Sequence, residues 1–148
     1  MCDFVSGKFL AALSLVLAGL LVSMVHFITL TQGGTNIDYG AVFTGYLGLA
    51  LAGAVYSAVG TFASSLTDNQ VVAFIIGIFI VLIFFLMDKM LMFVTVAITG
   101  IIQYLSVDYH LSNISRGVID SRNLIYFASV VGLFLFMTVR MLEIRRWK

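Results

Sequence analysis

The feature that most constrains this chain is an unbroken apolar run near its end, from Leu124 to Leu142, which leads into a basic tail. A helix needs about 20 apolar residues to cross about 30 Å of hydrocarbon, and this run has that length. Lysine and arginine beside a span mark the cytoplasmic side of a membrane. The tail residues Arg145, Arg146 and Lys148 therefore predict a last helix that runs from outside to inside.

The composition is typical of a chain covered by lipid rather than by water. Of its 148 residues, 61% are hydrophobic and 10% are charged, and the mean hydropathy is +1.12. A soluble domain has about 25% charged residues. The net charge of +1 argues against nucleic acid as a partner, because phosphate binding needs a clustered basic face. We therefore expect an all-α membrane protein whose solvent is the lipid bilayer.

The apolar runs predict about four transmembrane helices in a single domain. Their expected bounds are residues 9–30, 39–65, 70–87 and 124–142. Lys8 precedes the first span as an inside anchor, and Lys89 follows the third at the outer interface. Asp68, in the short turn before the third span, is expected to cap that helix.

The segment at residues 90–107 has two interpretations. It has about 17 residues, the lower limit for a crossing, and Gly100 is expected to break its centre. A full crossing gives five spans with Lys8 outside, whereas a segment that dips in and returns gives four spans with both termini inside. Charge hardly separates the two, since Lys89 lies outside in the second case. The short length and the glycine favour a re-entrant or interfacial helix, which is tolerated where protein buries its free backbone groups.

The second span carries small residues at multiples of four. The main stripe is Gly45, Gly53, Ser57, Thr61 and Ser65, and the adjacent stripe is Tyr56, Gly60 and Ser64. Helices in lipid associate by close packing over such residues. This span is therefore predicted to be the most buried one, as a packing face. A sharper interpretation, that the stripe lines a substrate path, stays open.

An outer polar loop is predicted at residues 108–123. Its candidates for an outer gate or vestibule are Asp108, His110, Arg116, Asp120 and Arg122. Arg116 and Asp120 are four residues apart, so they would share one face if this part were helical. The alternative is a solvated loop in which these two residues form an ion pair, worth only about 0–1 kcal/mol.

Motifs for covalent chemistry are absent from the sequence. It contains no G-x-x-x-x-G-K-[ST], no H-E-x-x-H and no G-x-S-x-G, which are the signatures of phosphate cradles, zinc proteases and serine hydrolases. We predict no catalytic residue, no cofactor and no metal ligand. The chain is not expected to be an enzyme.

Three stretches resemble ABC-2-type transporter permeases. The stretch Tyr46–Asn69 (YLGLALAGAVYSAVGTFASSLTDN), with Gln70–Phe85 after it, is similar to the core of that family. The stretch Ser115–Phe136 (SRGVIDSRNLIYFASVVGLFLF) resembles the permease subunit associated with gliding motility and its copper-enzyme maturation relatives. Gly7–Ala11 (GKFLA) is similar to the start of that family's third span. The resemblance covers nearly the whole chain.

The resemblance implies the C-terminal part of an export permease in a bacterial inner membrane, with both termini cytoplasmic. It implies an ATP-binding ABC subunit, which would hydrolyse ATP, and a second permease subunit, the same or paralogous. Family members have six spans and an inner docking segment for the ATPase, and this chain resembles only the C-terminal two-thirds of them. A companion chain would then supply the first two spans, or the chain is a truncated product. The alternative function is a membrane scaffold, interaction protein or permease remnant that transports nothing.

Overall fold

The computed structural model describes residues 2–34 and 36–147, and every regular element among them is an α-helix. The six helices are α1 (Cys2–Gln32), α2 (Tyr39–Leu66), α3 (Gln70–Met90), α4 (Val96–Leu105), α5 (Val107–Ser115) and α6 (Ser121–Arg146). By length and composition, α1, α2, α3 and α6 can each cross a membrane. The prediction of an all-α chain with four helices able to span a membrane is therefore confirmed for the described residues.

Capping side chains mark where three of the spans, α2, α3 and α6, begin. Asp38 precedes α2, and its Oδ1 accepts hydrogen bonds from the amides of Gly40, at 3.0 Å, and Ala41, at 3.3 Å. Such bonds satisfy amides that have no partner within the helix. The prediction that Asp68 caps α3 is wrong. The cap is Asn69, whose Oδ1 accepts from the amide of Val71 at 2.9 Å.

The segment at residues 90–107 divides differently from the prediction. α3 continues to Met90, a turn follows, and α4 then has ten residues. At 1.5 Å per residue α4 rises about 15 Å, half of the hydrocarbon thickness. Gly100 lies within this helix, so the expected break at Gly100 is wrong. The chain leaves helical geometry instead before Val96 and at Ser106.

Of residues 108–123, only 116–120 form a loop, because α5 occupies Val107–Ser115 and α6 begins at Ser121. The Oγ of Ser106 accepts a hydrogen bond from the amide of Tyr109 at 3.3 Å, which caps α5. Val107 and Ile114 lie seven residues apart on one face, and both are buried, as in an amphipathic helix. After α5 the chain turns at Gly117, whose φ of +87° suits glycine.

α2 is the centre of the bundle. It packs against α1, α3, α5 and α6, and eleven of its residues are buried, more than in any other described helix. Two glycines allow the closest approaches. A Cβ on Gly53 would lie 2.5 Å from Val16 Cγ1 of α1, and one on Gly48 would lie 2.8 Å from Leu111 Cδ1 of α5. The prediction that the small-residue span is the most buried one is therefore confirmed.

Candidate functional site

Four of the five predicted gate residues line one cavity at the junction of α4, α5 and α6. The cavity has a volume of about 290 Å³. Its lining residues are Tyr104, Tyr109, His110, Asn113, Arg116, Val118, Asp120, Arg122 and Asn123. The fifth predicted residue, Asp108, faces a different surface. The cavity therefore draws on three helices and on the turn between the last two of them.

His110 forms the buried part of this cavity, with 3% of its surface exposed. α5 directs it at α6, where its Nδ1 lies 2.6 Å from Asn123 Oδ1. Its Nε2 lies 3.1 Å from the backbone oxygen of Tyr104, at the end of α4. The ring of Tyr126 stacks on the imidazole with 3.9 Å between centroids. One side chain thus joins three helices.

The hydrogen bonds of His110 join α4 and α6 through one ring. The Tyr104 carbonyl oxygen only accepts, so Nε2 donates to it. Nδ1 pairs with Asn123 Oδ1, which leaves the Asn123 NH₂ group directed away from the ring, and Asn123 lines the cavity.

Arg116 and Asp120 do not share a helix face, which corrects the premise of the sequence argument. Arg116 follows the last residue of α5, and Asp120 is the N-cap of α6. Asp120 Oδ1 accepts from the amide of Arg122 at 3.1 Å. The four ion pairs among the described residues include neither Arg116 nor Arg122. Two exposed guanidinium groups at this cavity therefore have no carboxylate partner.

Asp108 belongs to a charged group on the side of α3. Lys89 Nζ lies 3.2 Å from Asp88 Oδ2 and 3.8 Å from Asp108 Oδ2. The Lys89 side chain is 57% exposed, and exposed ion pairs of this kind contribute about 0–1 kcal/mol. These contacts join the start of α5 to the end of α3.

The main small-residue stripe of α2 lies in protein packing. Gly53, Ser57, Thr61 and Ser65 are buried, and Gly45 is half-buried. Two of its hydroxyls bond their own helix: Thr61 Oγ1 donates to the oxygen of Ser57 at 2.7 Å, and Ser65 Oγ to that of Phe62 at 2.6 Å. These contacts favour the packing interpretation of the stripe over a substrate path.

The adjacent stripe of α2 lines a groove instead. Tyr56, Gly60 and Ser64 face α3 across a groove of about 1000 Å³. Its polar end is held by two basic residues. Lys8 Nζ donates to Ser64 Oγ at 2.5 Å, and Arg145 binds Asp68 at 2.5 Å and the oxygen of Ser65 at 3.1 Å. The start of α1 and the end of α6 thus both reach the end of α2, and α6 also reaches the turn between α2 and α3.

The sequence analysis missed Tyr104 and Asn123, which line the cavity with His110, and Tyr126, whose ring stacks on His110. Tyr126 OH also donates to the oxygen of Leu105 at 2.5 Å, which holds the end of α4. One signal was available: Asn123, Tyr126 and Phe127 are spaced as one face of a helix at the start of the last apolar run. Among the described residues, no group of three or more His, Cys, Asp or Glu could hold a metal ion.

No protein-family model matches this chain, and no similar protein is found among curated proteins or among solved structures.

Proposed function

We propose that this chain is the C-terminal part of a permease subunit of an ABC-2-type ABC transporter and contributes to ATP-driven export. The observation that carries the proposal is α2, a small-residue helix with four other helices packed around it. Most of it lies within residues 46–69, the stretch whose sequence resembles the permease core. The chain itself performs no covalent chemistry in this proposal.

The mechanism requires two packings of the same helices, one open inward and one open outward. ATP binding and hydrolysis on a partner subunit act by favouring one packing over the other. Glycine contacts such as those of Gly48 and Gly53 suit this task, because backbones in close contact can slide with few side-chain obstacles. α3 has no buried residue, which leaves its surface for lipid or for a second permease subunit, the same or paralogous.

We place the end of the bundle that holds Lys8 and Arg145 in the cytoplasm of a bacterium, with the bundle in the inner membrane. The basic residues near that end are Lys8, Arg140, Arg145 and Arg146, and those near the other end are Lys89, Arg116 and Arg122. An excess of lysine and arginine marks the cytoplasmic side. α4 then lies before the last span as the re-entrant or interfacial helix at the outer face, and the His110 cavity opens as an outer vestibule.

Co-purification tests the assignment to a transporter. The chain is expressed with a tag, together with the proteins encoded beside it. We expect an ATPase with a phosphate-binding motif to co-purify, along with a membrane chain that supplies the first two spans. If neither is found in the purified material, the chain is a scaffold, interaction protein or permease remnant.

The outer vestibule has a test of its own in the assembled complex. Arg116→Gln combined with Asp120→Asn removes charge at the cavity and leaves the basic residues near Lys8 unchanged. We expect altered transport with unchanged binding of the ATPase. Unchanged transport by this double variant contradicts an outer gate at these residues.

A further inference from the structure

We infer that the His110 cavity binds the phosphate of an anionic phospholipid, whose acyl chain lies in the neighbouring groove between α4 and α6. This goes beyond the proposed function, because binding to the isolated chain tests it whether or not the chain transports anything. The inference rests on three features: guanidinium groups without a carboxylate partner, an amide donor at the cavity, and an apolar groove that shares a lining residue with the cavity.

The charge in the cavity favours an anion. Arg116 and Arg122 line it without a carboxylate partner, and the single carboxylate of the lining is Asp120. Asp120 already accepts from a backbone amide as the cap of α6. Guanidinium groups bind phosphate with two parallel hydrogen bonds. The lining therefore has more donors than the protein itself satisfies.

Asn123 supplies a further donor at the cavity. It is 5% exposed and lines the cavity. Its Oδ1 is directed at His110, which leaves the NH₂ group to bond a ligand oxygen. No buried side-chain nitrogen or oxygen among the described residues lacks a hydrogen-bond partner, so this NH₂ group is an accessible donor. An oxygen anion in the cavity is placed to accept from it.

A groove of about 550 Å³ lies next to the cavity, and Tyr104 lines both. The rest of the groove is lined by Gly100, Ile101, Leu105, Tyr126, Ser129, Val130 and Leu133. From Tyr126 to Leu133 the groove follows α6 for about 10 Å into the apolar span. A phospholipid, in which an anionic headgroup is joined to acyl chains, matches this arrangement better than a free anion does.

His110 fixes the walls of this site. Its bond to the Tyr104 oxygen and the bond from Tyr126 to the Leu105 oxygen hold the last carbonyls of α4 against α5 and α6. The His110 ring contacts Tyr104 of α4, Tyr109 of its own helix, and Asn123, Tyr126 and Phe127 of α6. The charged residues that line the cavity with it are Arg116, Asp120 and Arg122.

Native mass spectrometry of the full chain in detergent measures the binding of single lipids. The probes are phosphatidylglycerol, dioleoylglycerol without phosphate, and glycerol 3-phosphate without acyl chains. We expect one phosphatidylglycerol to bind at least about tenfold more tightly than either of the others, a difference of about 1.4 kcal/mol. Equal binding of phosphatidylglycerol and dioleoylglycerol overturns the phosphate site. Equal binding of glycerol 3-phosphate and phosphatidylglycerol overturns the lipid assignment in favour of a free anion.

Two pairs of variants test the phosphate cavity and the acyl-chain groove separately. Arg116→Gln with Arg122→Gln should weaken phosphatidylglycerol binding at least about tenfold. The control, Arg140→Gln with Arg146→Gln, removes the same charge near the other end of the bundle. Gly100→Leu fills the groove, since no atom lies within 4 Å of a Cβ there, and Gly19→Leu on α1 is its control with equal space. Circular dichroism checks that helix content is unchanged, and a variant that binds as its control does contradicts the corresponding half of the site.

Discussion

α2 and α3 are neighbours in sequence and in space, yet they differ in what surrounds them. Of the 21 residues of α3, 14 are isoleucine, phenylalanine, valine or leucine, and none of its residues is buried. α2 is rich in glycine, alanine, serine and threonine and has eleven buried residues. In water the more apolar helix would be the core. In lipid, apolar surface gains little from leaving the solvent, and close approach decides which helix is central.

The largest difference in stability should be between substitutions of a phenylalanine packed against α2 and of one exposed on α3. Phe127 is 1% exposed and packs in the core with Val55 and Val59 of α2, whereas Phe79 of α3 is 61% exposed. Phe127→Ala should lower the free energy of unfolding by about 2–3 kcal/mol. This is below the 3–5 kcal/mol typical of a soluble core, because the lost transfer from water does not contribute.

Phe79→Ala is the matched control and should change stability by less than about 0.5 kcal/mol. Unfolding in mixed detergent micelles measures both variants. Equal losses would mean that α3 is as tightly packed as the centre, which would remove the distinction between the two helices.

A stability difference of intermediate size is expected between leucine substitutions at two glycines of α2. Gly53→Leu places a side chain against Val16, because a Cβ added at Gly53 would lie only 2.5 Å from Val16 Cγ1. Overpacking of this kind costs about 1–3 kcal/mol, and a valine side chain has few rotamers with which to move away.

Gly60→Leu is the control on the same helix, because no atom lies within 4 Å of a Cβ there. Both substitutions gain the same helix propensity, so their difference isolates the contact with α1. We expect Gly53→Leu to melt at a lower temperature than Gly60→Leu. The reverse order would contradict the close packing of α1 on α2.

The smallest effect should come from the turn that joins the two helices. Asp68 is 93% exposed and binds Arg145, which is 32% exposed. Asp68→Asn should lower the free energy of unfolding by about 0.5 kcal/mol, and by less at high salt. Thermal unfolding at two salt concentrations checks this, with Asp3→Asn as the control. A loss above about 2 kcal/mol would mean that this turn, not the α2 packing, holds the bundle together.

The sequence predicted well what depends on local composition. Four long apolar runs set the spans, and small residues at intervals of four identified α2 as the central helix. α5 was missed because residues 108–115 are mostly polar, and its helix depends on a Ser106 cap and on burial of Val107 and Ile114. The cavity was found only in part. His110 and Asn123 are thirteen residues apart on different helices, and no spacing rule within one helix brings such residues together.

The charges illustrate the same limit. Arg116 and Asp120 have the spacing of a helical ion pair, but the turn at Gly117 separates them. Asp68 has the position of a helix cap, but Asn69 takes that role and leaves its carboxylate to Arg145. In both cases the spacing in the sequence predicted a local contact. In the structure, a neighbouring residue or a distant helix replaces that contact.

The end of α2 and the turn that follows it contact both the first and the last helix, through Lys8 at Ser64 and Arg145 at Ser65 and Asp68. A displacement of this one short segment would be transmitted to all four long helices together. A partner that binds it could therefore tilt the whole bundle without contacting any other part.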